Sequence, residues 1–111
     1  MDFNEYQTKA STTATFEGKQ NDYKLMYLAL GIAGESGEVA EKIKKLMRND
    51  NGELDEEKRV AIKHELGDVL WYLSQMARVL GYTFEEVAEA NLSKLADRKN
   101  RGVIKSEGDN R

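Results

Sequence analysis

Two acidic pairs give this chain its chemistry. Glu35-Ser36-Gly37-Glu38-Val39 and Glu65-Leu66-Gly67-Asp68-Val69 both read Glu-x-Gly-acid-Val. A spacing of three places the two carboxylates of each pair on one side of a helix, about one turn apart. Like charges so placed weaken a helix unless a cation lies between them. Four oxygen donors on two helices suit a hard divalent cation. Mg²⁺, or Mn²⁺ in its place, takes carboxylate and water ligands and shares its shell with substrate phosphates. A solvated acidic face is the plain alternative, and the duplication of the pattern weighs against it. A di-iron bundle would need Glu-x-x-His on two helices. The single histidine, His64, adjoins Glu65 and projects about 100° away from it, so it is read as a surface residue.

The elements that must position these acids are helices. A first helix is expected from Phe3 to Ala10, opened by Asp2 with Glu5 three positions on, and Ser11 to Asn21 reads as a loop rich in Thr, Gly and Asn. A second should run from Asp22 to Arg48 and stop at Asn49-Asp50-Asn51-Gly52. Asp55 should cap a third that ends near Leu80-Gly81, and Thr83-Phe84-Glu85-Glu86 is a capping box for a fourth ending near Arg101-Gly102.

Projection at about 100° per residue shows how the acids sit on helices two and three. With Glu35 at zero, Leu25, Leu28, Ala29, Ile32, Val39, Ile43, Leu46 and Met47 fall between about 20° and 120°, and Glu38 at about 300°. With Glu65 at zero, Val69, Leu70, Leu73, Met76, Ala77 and Leu80 cover about 20° to 140°, and Asp68 again lies at about 300°. Each helix therefore carries an acidic pair at the same edge of an apolar stripe. Antiparallel packing would bring Glu35, Glu38, Glu65 and Asp68 together beside the core.

Composition bounds the rest. The 111 residues contain no Pro and no Cys, a third are charged with both signs interspersed, and the net charge is −3. These values fit one all-α domain, exclude thiolate metal sites and disulfides, and argue against a general binder of nucleic-acid polymers. We expect a single domain over 1–102 and a polar tail over 103–111. No apolar run is long enough to span a bilayer, and Met1-Asp2-Phe3-Asn4-Glu5 lacks the basic and apolar regions of a secretion signal. A cytoplasmic protein that does not contact membrane is the expectation.

Further candidates lie outside the acidic pairs. Asn91, Lys94 and Arg98 follow at three and four and share one strip of helix four. A basic last turn complementing the helix dipole accounts for Lys99 and Arg101 and can take in Arg98; Lys94, nearly two turns from the end, fits that account poorly. Tyr72 lies one turn beyond Asp68 on the acidic edge, and Trp71 projects away from the stripe, toward a subunit contact or a base. Gly31, Gly34, Gly37 and Gly67 inside helices each cost roughly 1 kcal/mol against Ala, which implies close approach of a helix or a phosphate. Met26 and Leu30 form a second apolar face on helix two, so the fold is expected to be completed by a homodimer or homotetramer.

Taken together, these motifs resemble the MazG-like all-α nucleoside triphosphate pyrophosphohydrolases. Their signature is Glu-x-x-Glu, a variable gap and Glu-x-x-Asp, matched here by Glu35, Glu38, Glu65 and Asp68. The likeness extends to Phe3-Asn4-Glu5-Tyr6-Gln7, Leu30-Gly31-Ile32-Ala33-Gly34, Asp68-Val69-Leu70-Trp71-Tyr72-Leu73 and Asn91-Leu92-x-Lys94-Leu95-x-x-Arg98. Some relatives carry a further Glu where this chain has Gly34. The resemblance implies a four-helix-bundle-type fold and Mg²⁺-dependent hydrolysis of (deoxy)nucleoside triphosphates to the monophosphate and pyrophosphate. It implies the acidic quartet as metal ligands, Glu35 or Glu38 as the catalytic base, and Asn91, Lys94, Arg98 and Tyr72 at the substrate. Phosphoribosyl-ATP pyrophosphohydrolysis and a non-catalytic metal-binding or adaptor bundle are the alternatives.

Overall fold

The computed structural model describes residues 1–105, which form four helices and no strand: α1 (Phe3–Ser11), α2 (Asn21–Asp50), α3 (Glu56–Val79) and α4 (Phe84–Arg101). Each boundary lies within a turn of the expected one, and the caps explain why. Carboxylates of Asp2 and Asp55 accept from the backbone N–H of Glu5 and Lys58 at 2.8 and 2.9 Å. Thr83 and Glu86 exchange both bonds of a capping box. At the far ends the chain turns left-handed, through Asn51 at φ 54° after α2 and Gly102 at φ 72° after α4. Of the expected tail, Val103 is half-buried and donates its N–H to Arg98 O; 106–111 lie outside the described residues.

Helices α2 and α3 form an antiparallel hairpin. Their contacts run in opposite chain order, from Gly31 against Tyr72, through Lys42 with Glu65, to Asp50 with Lys58. Leu28 and Leu46 are buried along this seam. Gly31 earns its place here, because a Cβ would run into the Tyr72 ring. Gly34, Gly37 and Gly67 meet nothing within 4 Å, so close approach inside the chain accounts for Gly31 and not for them.

Short α1 clasps the far end of α3 to the start of α4. Buried Gln7 donates from Nε2 to Ser74 O and Tyr82 O, both at 3.0 Å, and its Oε1 accepts from Phe84 N at 3.3 Å. Gln75 Nε2 returns a bond to Gln7 O at 3.2 Å. Each buried polar group in this knot has a partner, which offsets the cost of removing it from water.

The four helices do not close into a bundle within one chain. Among the helices, α2 packs on α3 alone, and α4 rests on α1 and α3. The buried apolar core is small: Phe16, Leu28, Leu46, Ala77 and Phe84. Ile43, Met47, Leu73 and Leu80, expected in the apolar stripes, are left exposed among the described residues. Met26 and Leu30, on the second face, are 67% and 72% exposed.

Candidate active site

The hairpin register brings the acidic edges of α2 and α3 together. One carboxylate oxygen from each of Glu35, Glu65 and Asp68 lies within 4.8 Å of the others. Glu35 and Glu65 are half-buried and Asp68 is exposed. Burial, then the charges of Asp68, Glu65 and Glu38, push the Glu35 carboxyl above its ordinary value. Glu38 is exposed and stands outside this trio, one turn along α2, although its charge still reaches Glu35. Convergence of three anionic oxygens on one point is unfavourable until a cation fills it. The donors are all hard oxygens, the kind of set that could hold a divalent metal ion.

Beside the trio opens a cleft of about 360 Å³ lined by Glu35, Asp68, Tyr72, Trp71, Tyr27 and the loop residues Thr13 and Thr15. Tyr72 packs between the rings of Tyr27 (6.2 Å between centroids) and Trp71 (5.0 Å, edge-on). Burial foremost, then Tyr27 and the acids Glu35 and Asp68, raise the Tyr72 phenol above its usual value, so it stays a neutral hydrogen-bonding group. Tyr6 is raised in the same sense by burial and by Asp68.

The 12–20 loop is built onto this wall. Trp71 Nε1 donates to Ala10 O (3.1 Å) and Thr13 Oγ1 (2.9 Å), and Phe16 packs edge-on against the indole. Glu17 ties the same loop to Arg78 on α3 and to Lys24 on α2. Trp71, expected at a subunit contact or a base, thus spends its N–H inside the chain, fastening the loop to α3.

The α4 strip lies elsewhere. Asn91 and Lys94 are exposed and line a separate open cleft of about 580 Å³ with Tyr82, Glu86, Val87 and Ala90. Arg98 is buried at 4% exposure near the end of α4. Neither cleft shares a lining residue with the other. One chain therefore unites Glu35, Glu65, Asp68 and Tyr72, places Glu38 at their margin, and leaves Asn91, Lys94 and Arg98 apart. His64 is exposed, as expected.

Sequence reasoning passed over Tyr27, Lys42, Thr13 and Thr15. The first two were within reach, since the same projection places Tyr27 at about 280° and Lys42 at about 340°, on the acidic edge of α2. The threonines lie in irregular chain, where no period marks a facing direction.

Residues 24–103 match the model of the MazG nucleotide pyrophosphohydrolase domain. The chain belongs to the MazG family. The match spans all but the first turn of α2, and α3 and α4 whole, with both acidic pairs and the α4 strip. The chain is also 43% identical, over 109 residues and 96% of each sequence, to the "Gene 37 protein" of Mycobacterium phage L5. That relative is therefore similar across α1 and the threonine loop as well as the MazG region. No solved structure matches the chain significantly. Among the described residues no helix is long and apolar enough to cross a membrane.

Proposed function

We propose that this MazG-family protein hydrolyses (deoxy)nucleoside triphosphates to the monophosphate and pyrophosphate, with Mg²⁺ held by Glu35, Glu65 and Asp68. The observation that carries this reading is the three-carboxylate cluster opening directly into the aromatic cleft. A nucleotide needs both surfaces side by side, one for a base and one for phosphates. Glu35, Glu65 and Asp68 would hold the ion, which would supply charge neutralisation for the phosphates and make a nearby water more acidic. Glu38, exposed and outside the trio, is assigned to take the proton of the water that attacks the α-phosphorus. Tyr27, Tyr72 and Trp71 present ring surface to the base. The experiment is a panel of NTPs and dNTPs with Mg²⁺, scored for pyrophosphate against orthophosphate. Pyrophosphate as first product, abolished by chelator, supports the reading; orthophosphate as first product or turnover in excess chelator overturns it.

The α4 strip completes the site from a second copy in this reading. An open hairpin, a small core and exposed Leu30 and Met26 leave a face that a homodimer or homotetramer would cover. Asn91, Lys94 and Arg98 of that copy would then bind phosphate charge that this chain's own α4 does not approach. Mixing inactive Glu65→Gln and Lys94→Ala subunits tests it. Heterodimers regain one intact site, so the mixture should recover roughly a quarter of parental activity. A mixture as inactive as its components would return the strip to the site of its own chain.

A further inference from the structure

Lys42 connects the acidic trio to a second cavity along the hairpin. Its Nζ lies 3.7 Å from Glu65 Oε1. On α2, Tyr27, Gly31, Glu35, Glu38 and Lys42 succeed one another at three- and four-residue steps. On α3, Lys58, Ile62, Glu65, Asp68 and Tyr72 do the same. Such steps keep a helix face, so these residues form one continuous strip down the hairpin. The aromatic cleft lies at one end and the trio in the middle. Beyond Glu65 comes a cavity of about 190 Å³ lined by Lys42, Lys45, Lys58 and Asp50 with apolar Leu46 and Ile62.

The three lysines differ in what they face. Lys45 pairs with Glu41, and Lys58 with Asp50 and Asp55, all carboxylates outside the trio. Lys42 pairs with a member of the trio itself. Its side chain is 37% exposed and the pair is long, so little energy holds the ammonium to Glu65. A divalent cation shared by Glu65 weakens that hold further, and a flexible four-carbon stem lets the ammonium follow negative charge that arrives nearby.

We infer that Lys42 binds the phosphates on the side of the trio opposite the aromatic cleft, and so fixes which way a triphosphate lies. The nucleoside end occupies the Tyr27–Trp71–Tyr72 cleft, the α-phosphorus falls at the carboxylates, and the departing pyrophosphate points toward Lys42 and the lysine-lined cavity. This assignment rests on the triphosphate reading above. It places one phosphate-neutralising cation in the same chain as the carboxylates, where Lys94 is not.

Titration calorimetry on Lys42→Met, with Lys42→Arg as the charge-keeping control, tests the assignment. The probes are Mn²⁺ alone, inorganic pyrophosphate in saturating Mg²⁺, and the nucleoside monophosphates in saturating Mg²⁺. Lys42→Met should bind Mn²⁺ as tightly as the parent or more tightly, since a competing cation is gone. Pyrophosphate binding should weaken roughly tenfold or more, the scale of one charge-assisted hydrogen bond, with monophosphate binding moved by less than about twofold. Lys42→Arg should recover most of the pyrophosphate affinity. Unchanged pyrophosphate binding, or equal loss for pyrophosphate and monophosphate, overturns the assignment. Loss of Mn²⁺ binding also overturns it, because Lys42 would then be holding Glu65 in place. Should Lys42→Met melt early, Lys42→Gln takes the same titrations. A parent that cleaves no triphosphate yet binds pyrophosphate through Lys42 defeats the function reading and leaves this one standing.

Discussion

The acidic edge of the α2–α3 hairpin and the polar strip of α4 are built from the same device, functional residues three and four apart on a helix. They end in opposite situations. Glu35, Glu65 and Asp68 converge because a short connection folds α3 back on α2 and sets the register. Asn91 and Lys94 face an open cleft of their own, and Arg98 is buried, because α4 packs on α1 and α3 and never reaches α2. Helical spacing therefore tells which residues share a face. Only the packing partner of that face tells what they meet. The hairpin supplies that partner for the acids within one chain, and α2 does not meet the α4 strip.

The contrast can be broken most severely at Glu65. Glu65→Gln keeps the shape of the trio and removes one charge and one ligand. Pyrophosphate release should fall by orders of magnitude, and the rise in melting temperature on adding Mg²⁺ should vanish. Without metal the variant should melt at or above the parent temperature, since the trio repels itself. A variant that melts well below the parent and turns over normally would make the acids structural. On the other side of the comparison, Lys94→Ala should reduce turnover more than Lys99→Ala in steady-state assays. Equal, small effects would leave α4 without a part in the chemistry.

Smaller effects should separate glycines that serve the hairpin from glycines that face open space. Gly31→Ala drives a methyl into the Tyr72 ring and should cost about 1–3 kcal/mol by denaturant unfolding, with weaker substrate binding as Tyr72 shifts. Gly34→Ala meets nothing within 4 Å of the chain and should stabilise by up to about 1 kcal/mol. If Gly34→Ala instead stays folded and loses activity or assembly, the open space at Gly34 is occupied by substrate or by a second copy.

The smallest change concerns the cap that starts α3 and so sets the register of the trio. Asp55 accepts from the backbone N–H of Lys58 and pairs with its ammonium, and these hold its carboxyl below the ordinary value near 3.8. A depressed folded value means the cap acts fully above pH 3.8 and is lost as pH falls through the folded value. Asp55→Ala should lower the melting temperature by a few degrees at neutral pH. The gap between variant and parent should close in acid. A gap that stays constant down to pH 2 would show that the carboxylate charge plays no part.

Most of the secondary structure was legible from local chemistry. Asp2, Asp55 and the Thr83/Glu86 box start their helices, and Asn51 and Gly102 end theirs in the left-handed region. Three of the four acids and Tyr72 were legible as neighbours because helical period and a hairpin determine them. The interior was less so. Ser74 and Gln75 are fully buried while Leu73, beside them, is exposed. Hydrophobicity alone points the other way; the hydrogen bonds of Gln7, sixty-seven residues distant in sequence, decide the matter. The hydrogen bond of Trp71 was hidden for a similar reason, as its partner Thr13 belongs to a loop without a period.

Gln7 also sets an order of events as the chain is made. Its bonds reach Ser74 O, Tyr82 O and Phe84 N, separations of 67, 75 and 77 residues. Helix α1 leaves the ribosome first, yet its polar anchor stays in water until the end of α3 and the start of α4 follow. At about 5–20 residues per second, that delay is on the order of 4–15 s. The α2–α3 hairpin, whose contacts are closer in sequence, closes ahead of it. The clasp therefore forms after the hairpin, and the acidic edges of α2 and α3 meet before α1 is fastened down.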